Sequence, residues 1–277
     1  MNCFIFSSQT AAHNNVCGAT PFIDLVIHLQ NHGITRILTD SEEQHPDVEN
    51  CSFRQAQLEL GSGWLAAYSG CITRQSPLEL RDLTTASGAA AGVSLACSAK
   101  PWEHTTVLTD GRGYIEKHEK NPSPENLETN LCFSGMVWVE KDGFDPREPM
   151  ADLTAAFALP GFWRCPGNRE NYLLTIHSIL SGEVRPWPHI AIPPNGIVLN
   201  SPVPPETQIK GTLWVGRNCT VEHGCILENC VILDNSETGA NSNLRNCLVS
   251  AEAVIPPGTV QYDKYLSFFG DDNGREY

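Results

Sequence analysis

Aliphatic residues recur every six positions in the last third of the chain, at Ile197, Val203, Ile209, Val215, Val221, Leu227 and Leu233. An α-helix repeats its buried face every 3.6 residues and a strand every two, so neither gives a strict period of six. A coil of three short strands, six residues to a side, does. Each aliphatic side chain then points inward from one flat side and stacks on its counterpart eighteen residues later. The position two before is small at Ser201, Thr207, Cys219 and Cys225, which suits a tight corner. After Leu233 the phase slips, and it resumes with Leu248, Val254 and Val260. The pattern predicts about four coils over 192–262, with Val215, Val221 and Leu227 on three successive inward-facing sides. So short a solenoid has open ends that need caps or partners. The tail from Gln261 to Tyr277, with Tyr265, Phe268 and Phe269, is a candidate cap.

The first 190 residues follow another pattern. An opening strand, "MNCFIF", leads into a polar loop, Ser7–Thr20, and then a helix. Thr20 is its expected N-cap, and Pro21 suits the first turn because the missing N–H is unpaired there anyway. Phe22, Leu25, Val26 and Leu29 form the apolar stripe. Gly33 closes the helix, and "ITRILT" (34–39) reads as the next strand. Residues 77–87 read as a helix and 91–97 as a buried strand. Residues 106–118 read as a hairpin turning at Asp110-Gly111, and 131–140 as a further strand. Asn168 caps a last helix running to about Leu180. Strands alternating with helices predict a mostly parallel sheet with helices on both faces. The Pro-rich run "RPWPHIAIPP" (185–194) reads as a hinge.

The stretch "VGRNCTVEHGCILENCVILDNSETGANSNLRNCLVSAEAVIPPGTV" resembles the hexapeptide-repeat left-handed β-helix, and the handedness comes from that resemblance alone. An α/β domain, a Pro-rich link and such a helix together resemble the sugar-1-phosphate nucleotidyltransferases, or NDP-sugar pyrophosphorylases, including the mannose-1-phosphate guanylyltransferases. "ATPFIDLVIHLQNHGITRIL" resembles that family's first helix and second strand, and "LELGSGWLAAYSG" its base-contacting Gly-Thr-Ala segment. "DGRGYIEKHEKNP" resembles its Glu-Lys hairpin and "FSGMVWVE" the strand carrying Asn-Ala-Gly. "GFWRCPGNRENYLLTIHSILSG" resembles its Trp-x-Asp-x-Gly-Thr segment and the helix that follows. The resemblance implies a three-layer, Rossmann-like α/β domain over 1–185 and a short left-handed parallel β-helix with its tail over 186–277.

That family joins a sugar phosphate to the α-phosphorus of a nucleoside triphosphate. The chemistry needs cations over the phosphates and magnesium held by carboxylates. The resemblance supplies these from a Gly-rich loop with an Arg, a Lys before the first helix, and two aspartates. Here "FIFSSQTAAHNN" lacks the glycines and the Arg, and "HNNVCGATPF" lacks the Lys. "SGCITR" puts Cys71 at the first metal position and "WRCPG" puts Cys165 at the second. Thiols serve magnesium poorly, since hard cations take oxygen. The expectation is therefore no catalytic residue, no metal site and no triphosphate at Ser7–Thr20. Magnesium returns only under the alternative of an active pyrophosphorylase with a rearranged site. The remaining ligand-binding candidates are Gly61, Ser62 and Gly63, then Glu116 and Lys117, then Ser134 and Gly135. Each has a plainer reading. The glycines suit a turn before a helix starting near Trp64, and Glu-Lys is a common solvated pair. Phe133 stands where the family has Asn.

A net charge of −14 argues against nucleic acid and anionic membrane as partners. The eleven cysteines lack a C-x-x-C pair and read as free, mostly packed thiols of a cytoplasmic chain. Cys71 and Cys165 could also pair, bind a soft metal or act as a nucleophile, with simple packing the plainer expectation. A third reading, a β-helix acyltransferase, would use His223 of the hexads or His189 of the linker as a base. The functional expectation is a diverged nucleotidyltransferase-like protein acting by ligand or partner binding. A sugar phosphate or nucleotide sugar is the candidate ligand. A homo- or hetero-oligomer through the β-helix is the candidate assembly.

Overall fold

The computed structural model describes residues 1–7, 16, 19–148, 153–185 and 191–267. Most of the Ser7–Thr20 loop, residues 186–190 of the Pro-rich run, and Phe268 and Phe269 of the tail lie outside the described residues. The chain divides into two compact units that part between Gly167 and Asn168. The sequence boundary at 185 assigns the last helix to the first domain, whereas this division assigns it to the second.

The first unit runs β1 (Asn2–Phe6), α1 (Pro21–Asn31), β2 (Arg36–Thr39), β3 (Val48–Asn50), α2 (Phe53–Leu60), β4 (Trp64–Tyr68), β5 (Ile72–Thr73) and α3 (Pro77–Ser87). It continues with β6 (Ala91–Cys97), β7 (Thr105–Thr109), β8 (Ile115–Lys120), β9 (Leu131–Val139), β10 (Thr154–Ala158) and β11 (Trp163–Arg164). The main sheet has the order β10-β6-β9-β4-β1-β2-β3, with the β7–β8 hairpin joined to β9. Along that order the pairings are parallel except at β9, which runs antiparallel to both β4 and β6, and β7 is antiparallel to β8 and β9. The strand alternation of β1 separates the two faces. Cys3 and Ile5 pack with Phe22, Leu25 and Leu29 of α1 and Leu80 of α3. Phe4 and Phe6 pack with Phe53, Ala56 and Leu60 of α2.

The caps form as the sequence predicts. Thr20 Oγ1 accepts from Ile23 N at 3.2 Å, and Asn168 Oδ1 accepts from Asn171 N at 2.8 Å. The hairpin turn is longer than a two-residue one. Asp110 Oδ1 accepts from the backbone of both Arg112 and Tyr114, at 2.9 Å each. Trp64 opens a strand and not the predicted helix, because β4 fills the gap between β1 and β9.

The second unit begins with α4 (Arg169–Leu180) and continues as β12 (Ile197–Leu199), β13 (Gln208–Val215), β14 (Thr220–Val221), β15 (Ile226–Ile232), β16 (Glu237–Thr238) and β17 (Asn243–Arg245). It ends with β18 (Leu248–Val249), β19 (Val254–Ile255), β20 (Val260–Tyr262) and β21 (Tyr265–Leu266). These strands stack in parallel as a hexapeptide-repeat coil consistent with a β-helix. Val215, Val221 and Leu227 are buried in one interior cluster, as predicted. The stacking interval is eighteen where Gln208–Lys210 pair with Ile226–Glu228 and shorter elsewhere among the described strands. Ile226 pairs with Asn243, Val231 with Leu248 and Glu237 with Val254, each seventeen apart. One side per coil is therefore five residues long, and the inward positions after Leu227 are Ile232, Thr238, Leu244, Val249 and Ile255.

This corrects the sequence phase. Val254 and Val260 face solvent at 52% and 54% exposure, while Ile255 is 5% exposed. Leu248 is buried, but it lies in the outward column with Trp214 and Val231. α4 packs on β13 and β15, and Arg169 stacks 4.0 Å over the ring of Tyr265, the next member of that column. A helix lying on one outer side accounts for apolar residues facing outward there.

The corners explain how a coil loses a residue without losing register. Left-handed backbone recurs in columns at Asn218, Asn235 and Glu252, at Gly224, Asn241 and Gly258, and at Asn229, Asn246 and Asp263. Asn tolerates that conformation better than other side-chain-bearing residues. The Asn side chains also bond between coils. Asn229 Nδ2 donates to Asn246 Oδ1 at 3.3 Å, and Asn246 Nδ2 to Asp263 Oδ1 at 2.8 Å. Gly224 is needed at its corner, where a Cβ would lie 2.3 Å from Asn241 Oδ1. The interior cysteines use their weak S–H donors in the same way. Cys230 Sγ lies 3.3 Å from Leu244 O, and Cys247 Sγ 3.4 Å from Gln261 O, one coil on.

Candidate functional site

Open α/β sheets take ligands beyond the carboxyl ends of their parallel strands, where the strand order reverses. Here that point lies at the ends of β1 and β4, since β1 pairs with β2 on one side and β4 on the other. Aromatic side chains gather at it. Phe6 stacks on Tyr68 with centroids 5.1 Å apart, Phe133 meets Tyr68 edge-on at 5.6 Å, and Phe53 lies 5.0 Å from Phe6. Tyr68 Oη donates to Pro146 O at 2.6 Å, and burial pushes its pKa up. Arg147 lies over Phe53 at 4.7 Å and pairs with Asp145 at 2.5 Å. None of Phe6, Tyr68 or Arg147 stood out as a site residue in the sequence. The available signal was Phe133 in the place of the family's Asn.

Ser134 and Gly135 sit beside this cluster on β9. Gly135 has φ 95, and a Cβ there would lie 3.7 Å from Tyr68 O. Ser134 is buried, and its hydroxyl lies 2.6 Å from Gln75 Oε1 and 2.7 Å from Ser94 Oγ. Gln75 Nε2 in turn donates to Leu95 O and Leu159 O, at 2.9 and 3.0 Å. The Ser134 hydroxyl is thus committed to a core network.

Gly61, Ser62 and Gly63 lie at the other end of the sheet, before the first residue of β4. Gly61 caps α2 with φ 63 and accepts from Trp64 Nε1 at 3.1 Å, and Gly63 N donates to Val139 O at 2.9 Å. Val139 and Gly135 are four residues apart on β9, about 13 Å at strand rise. The structure therefore does not bring these glycines to Ser134 and Gly135. Glu116 and Lys117 are exposed on β8. Lys117 pairs with Glu128, whose hydrogen bond raises its pKa, and lines a shallow cleft with Thr106, His118 and Asn126. His223 is exposed in a β-helix corner, and His189 lies outside the described residues.

Cys71 and Cys165 come together and form a disulfide. The packed-thiol expectation is corrected for this pair. Proximity follows from β5 and β11, which pair antiparallel with Ile72 opposite Arg164 and set the flanking cysteines side by side. The free cysteines among the described residues keep the packing reading at Cys3, Cys132, Cys219, Cys225, Cys230 and Cys247, all buried, while Cys97 is exposed. Burial pushes the Cys132 thiol up to about 11 and Cys230 up to about 12. Beside the disulfide, Arg74 makes a bidentate pair with buried Asp24, both contacts at 2.8 Å. Cys71 and Cys165, the positions at which the resemblance expects magnesium ligands, do not fit magnesium, because both sulfurs are spent in a bond to each other and neither offers oxygen.

Residues 194–263 match the family described as GlmU-like, C-terminal hexapeptide. The bifunctional protein GlmU of Desulfotalea psychrophila is 32% identical over 89 residues, 32% of this chain and 25% of that protein. Glucose-1-phosphate adenylyltransferase of Deinococcus radiodurans is 32% identical over 65 residues, 22% of this chain and 16% of its own length. The bifunctional protein GlmU of Pseudoalteromonas atlantica is 38% identical over 61 residues, 20% and 14% of the two chains. The aligned part thus spans a quarter or less of each relative. These matches support the sugar-1-phosphate nucleotidyltransferase family with a hexapeptide-repeat region. Among the described residues, no helix is long and apolar enough to cross a membrane.

Proposed function

We propose that this protein is a diverged, cytoplasmic sugar-phosphate nucleotidyltransferase-like protein that lacks pyrophosphorylase activity and acts by binding a ligand or a partner chain. The Cys71–Cys165 disulfide carries this reading. Nucleotidyl transfer needs developing charge on the phosphates met by fixed cations and metal. Sulfur occupies both positions where the family holds that metal. The aromatic cluster of Phe6, Tyr68 and Phe133 supports the same reading, since among the described residues it lines the ligand edge of the sheet with rings, and the Arg147 guanidinium beside it is paired with Asp145. The left-handed sense of the coil and a three-layer, Rossmann-like order in the first unit belong to this reading too.

The candidate ligand is a sugar phosphate or nucleotide sugar bound without magnesium, and the candidate assembly is an oligomer through the β-helix. A thermal-shift panel of hexose 1-phosphates, nucleotide sugars and nucleoside triphosphates, run with and without magnesium, tests the ligand. Binding to the native state raises the melting temperature by mass action. A rise with a sugar phosphate or nucleotide sugar that magnesium does not alter is expected. A rise only with a triphosphate and magnesium contradicts the reading.

A further inference from the structure

The segment 160–167 crosses the surface of the first unit as a strap held at two points. At its start, Leu159 O accepts from the buried Gln75 side chain, and Leu159 N donates to Leu95 O at 3.2 Å. Further on, Phe162 O accepts from Arg74 N at 2.8 Å, and β11 pairs with β5 over two residues only. An isolated two-stranded ladder of this length is marginal by itself. The Cys71–Cys165 disulfide lies directly beyond it, and both cysteines are half-buried, within reach of a reductant. Gly161 lets the strap lie close. A Cβ there would stand 2.7 Å from Arg74 O, at φ 121.

A second observation bears on the strap's closed position. The Trp163 ring rests edge-on against His104 at 4.8 Å, and its indole N–H is buried with no acceptor among the described residues. A buried donor without a partner forgoes a bond that water would supply. The closed strap therefore holds one of its own groups in an unfavourable place, and the covalent link opposes its release.

We infer that 160–167 is a redox-latched strap, closed by Cys71–Cys165 and opened by a dithiol reductant. The reductant's thiolate attacks one sulfur, the Cys71–Cys165 bond breaks and the other sulfur leaves as thiolate. The reductant's second thiol then resolves the mixed disulfide. Two electrons and two protons pass to the cysteines, and the reductant ends as its own disulfide. In the open form the indole N–H of Trp163 reaches water, and the backbone of Arg74, beside the Asp24 pair, loses its cover. This inference is independent of the nucleotidyltransferase reading.

The test is limited trypsin digestion of the full chain, oxidised and after dithiothreitol, with peptides read by mass spectrometry. The oxidised protein is expected to yield Cys71- and Cys165-containing peptides linked to each other. Reduction is expected to speed cleavage at Arg164 at least about tenfold, with cleavage at Arg36 and Arg81 unchanged. A Cys71→Ser, Cys165→Ser double variant is expected to be cleaved at the fast rate with or without reductant. If that variant does not fold, the wild-type comparison decides alone. Equal rates at Arg164 in the two redox states, a uniform rise at all three sites, or the absence of the linked peptides would overturn the inference.

Discussion

Shortening one side of each coil to five residues makes a prediction that a strict period of six reverses. The structure points Ile232 inward between Val215 and Val249, fully buried, and leaves Leu233 partly exposed. Ile232→Ala empties a central interior position with few ways to collapse, at a cost of about 3 kcal/mol. Leu233→Ala trims a side chain already in contact with solvent and costs about 1 kcal/mol or less. Cys230 and Cys247 report on this core directly, because both are buried and free. Their alkylation requires opening of the coil, so its rate follows the opening equilibrium when closing is fast. A loss of about 3 kcal/mol corresponds to a rise of about a hundredfold. The assay is iodoacetamide labelling of the two thiols, read by peptide mass spectrometry in wild type and both variants. Labelling that accelerates as much or more in Leu233→Ala than in Ile232→Ala refutes the five-residue side.

The other predictions concern the first unit. Burial, partly offset by the hydrogen bond to Gln75 O, lowers the pKa of His28 from 6.5 to about 4. The folded state therefore binds the proton less readily than the unfolded state, and stability is full above pH 6.5 and declines as pH falls toward 4. The loss reaches about 3 kcal/mol, and urea titrations across that window should show it flattened in His28→Gln. Replacing both Cys71 and Cys165 by Ser releases a link across 94 residues. Denaturant unfolding under non-reducing conditions should show a loss of up to about 4 kcal/mol, and reductant should abolish the difference from wild type. Arg74→Met leaves Asp24, 2% exposed, without its bidentate partner, and should lower stability by about 3 kcal/mol; a change under 0.5 kcal/mol would show that the pair is not formed.

Legibility in the sequence follows how local the cause is. α3 and β6 fall on the bounds read from sequence, Pro77–Ser87 and Ala91–Cys97, because a cap, an apolar stripe and a terminal glycine are all encoded within the element. The solenoid was equally plain, but its true interval was not. Outward Leu248 is as aliphatic as inward Val249, and only α4 packing over that column distinguishes their roles. Trp64 was misread because nothing local shows that β4 lies between two strands far away in sequence. The site was the least legible part. Phe6, Tyr68 and Phe133 come from three strands; the sequence reads Phe6 and Tyr68 as ordinary core residues and marks Phe133 only as a departure from the family's Asn. The Cys71–Cys165 bond depends on β5 meeting β11 across the length of the first unit.

The central claim is that the family's chemistry has been lost at Cys71 and Cys165, and pyrophosphate release tests it most directly. The purified chain is incubated with each common nucleoside triphosphate, a panel of hexose 1-phosphates and magnesium, once oxidised and once reduced with dithiothreitol. Testing both states separates loss of the metal carboxylates from mere closure of the strap. The account predicts no release above background in either state. Turnover above about 0.1 per second, at the low end of enzymatic rates, in either redox state would contradict it.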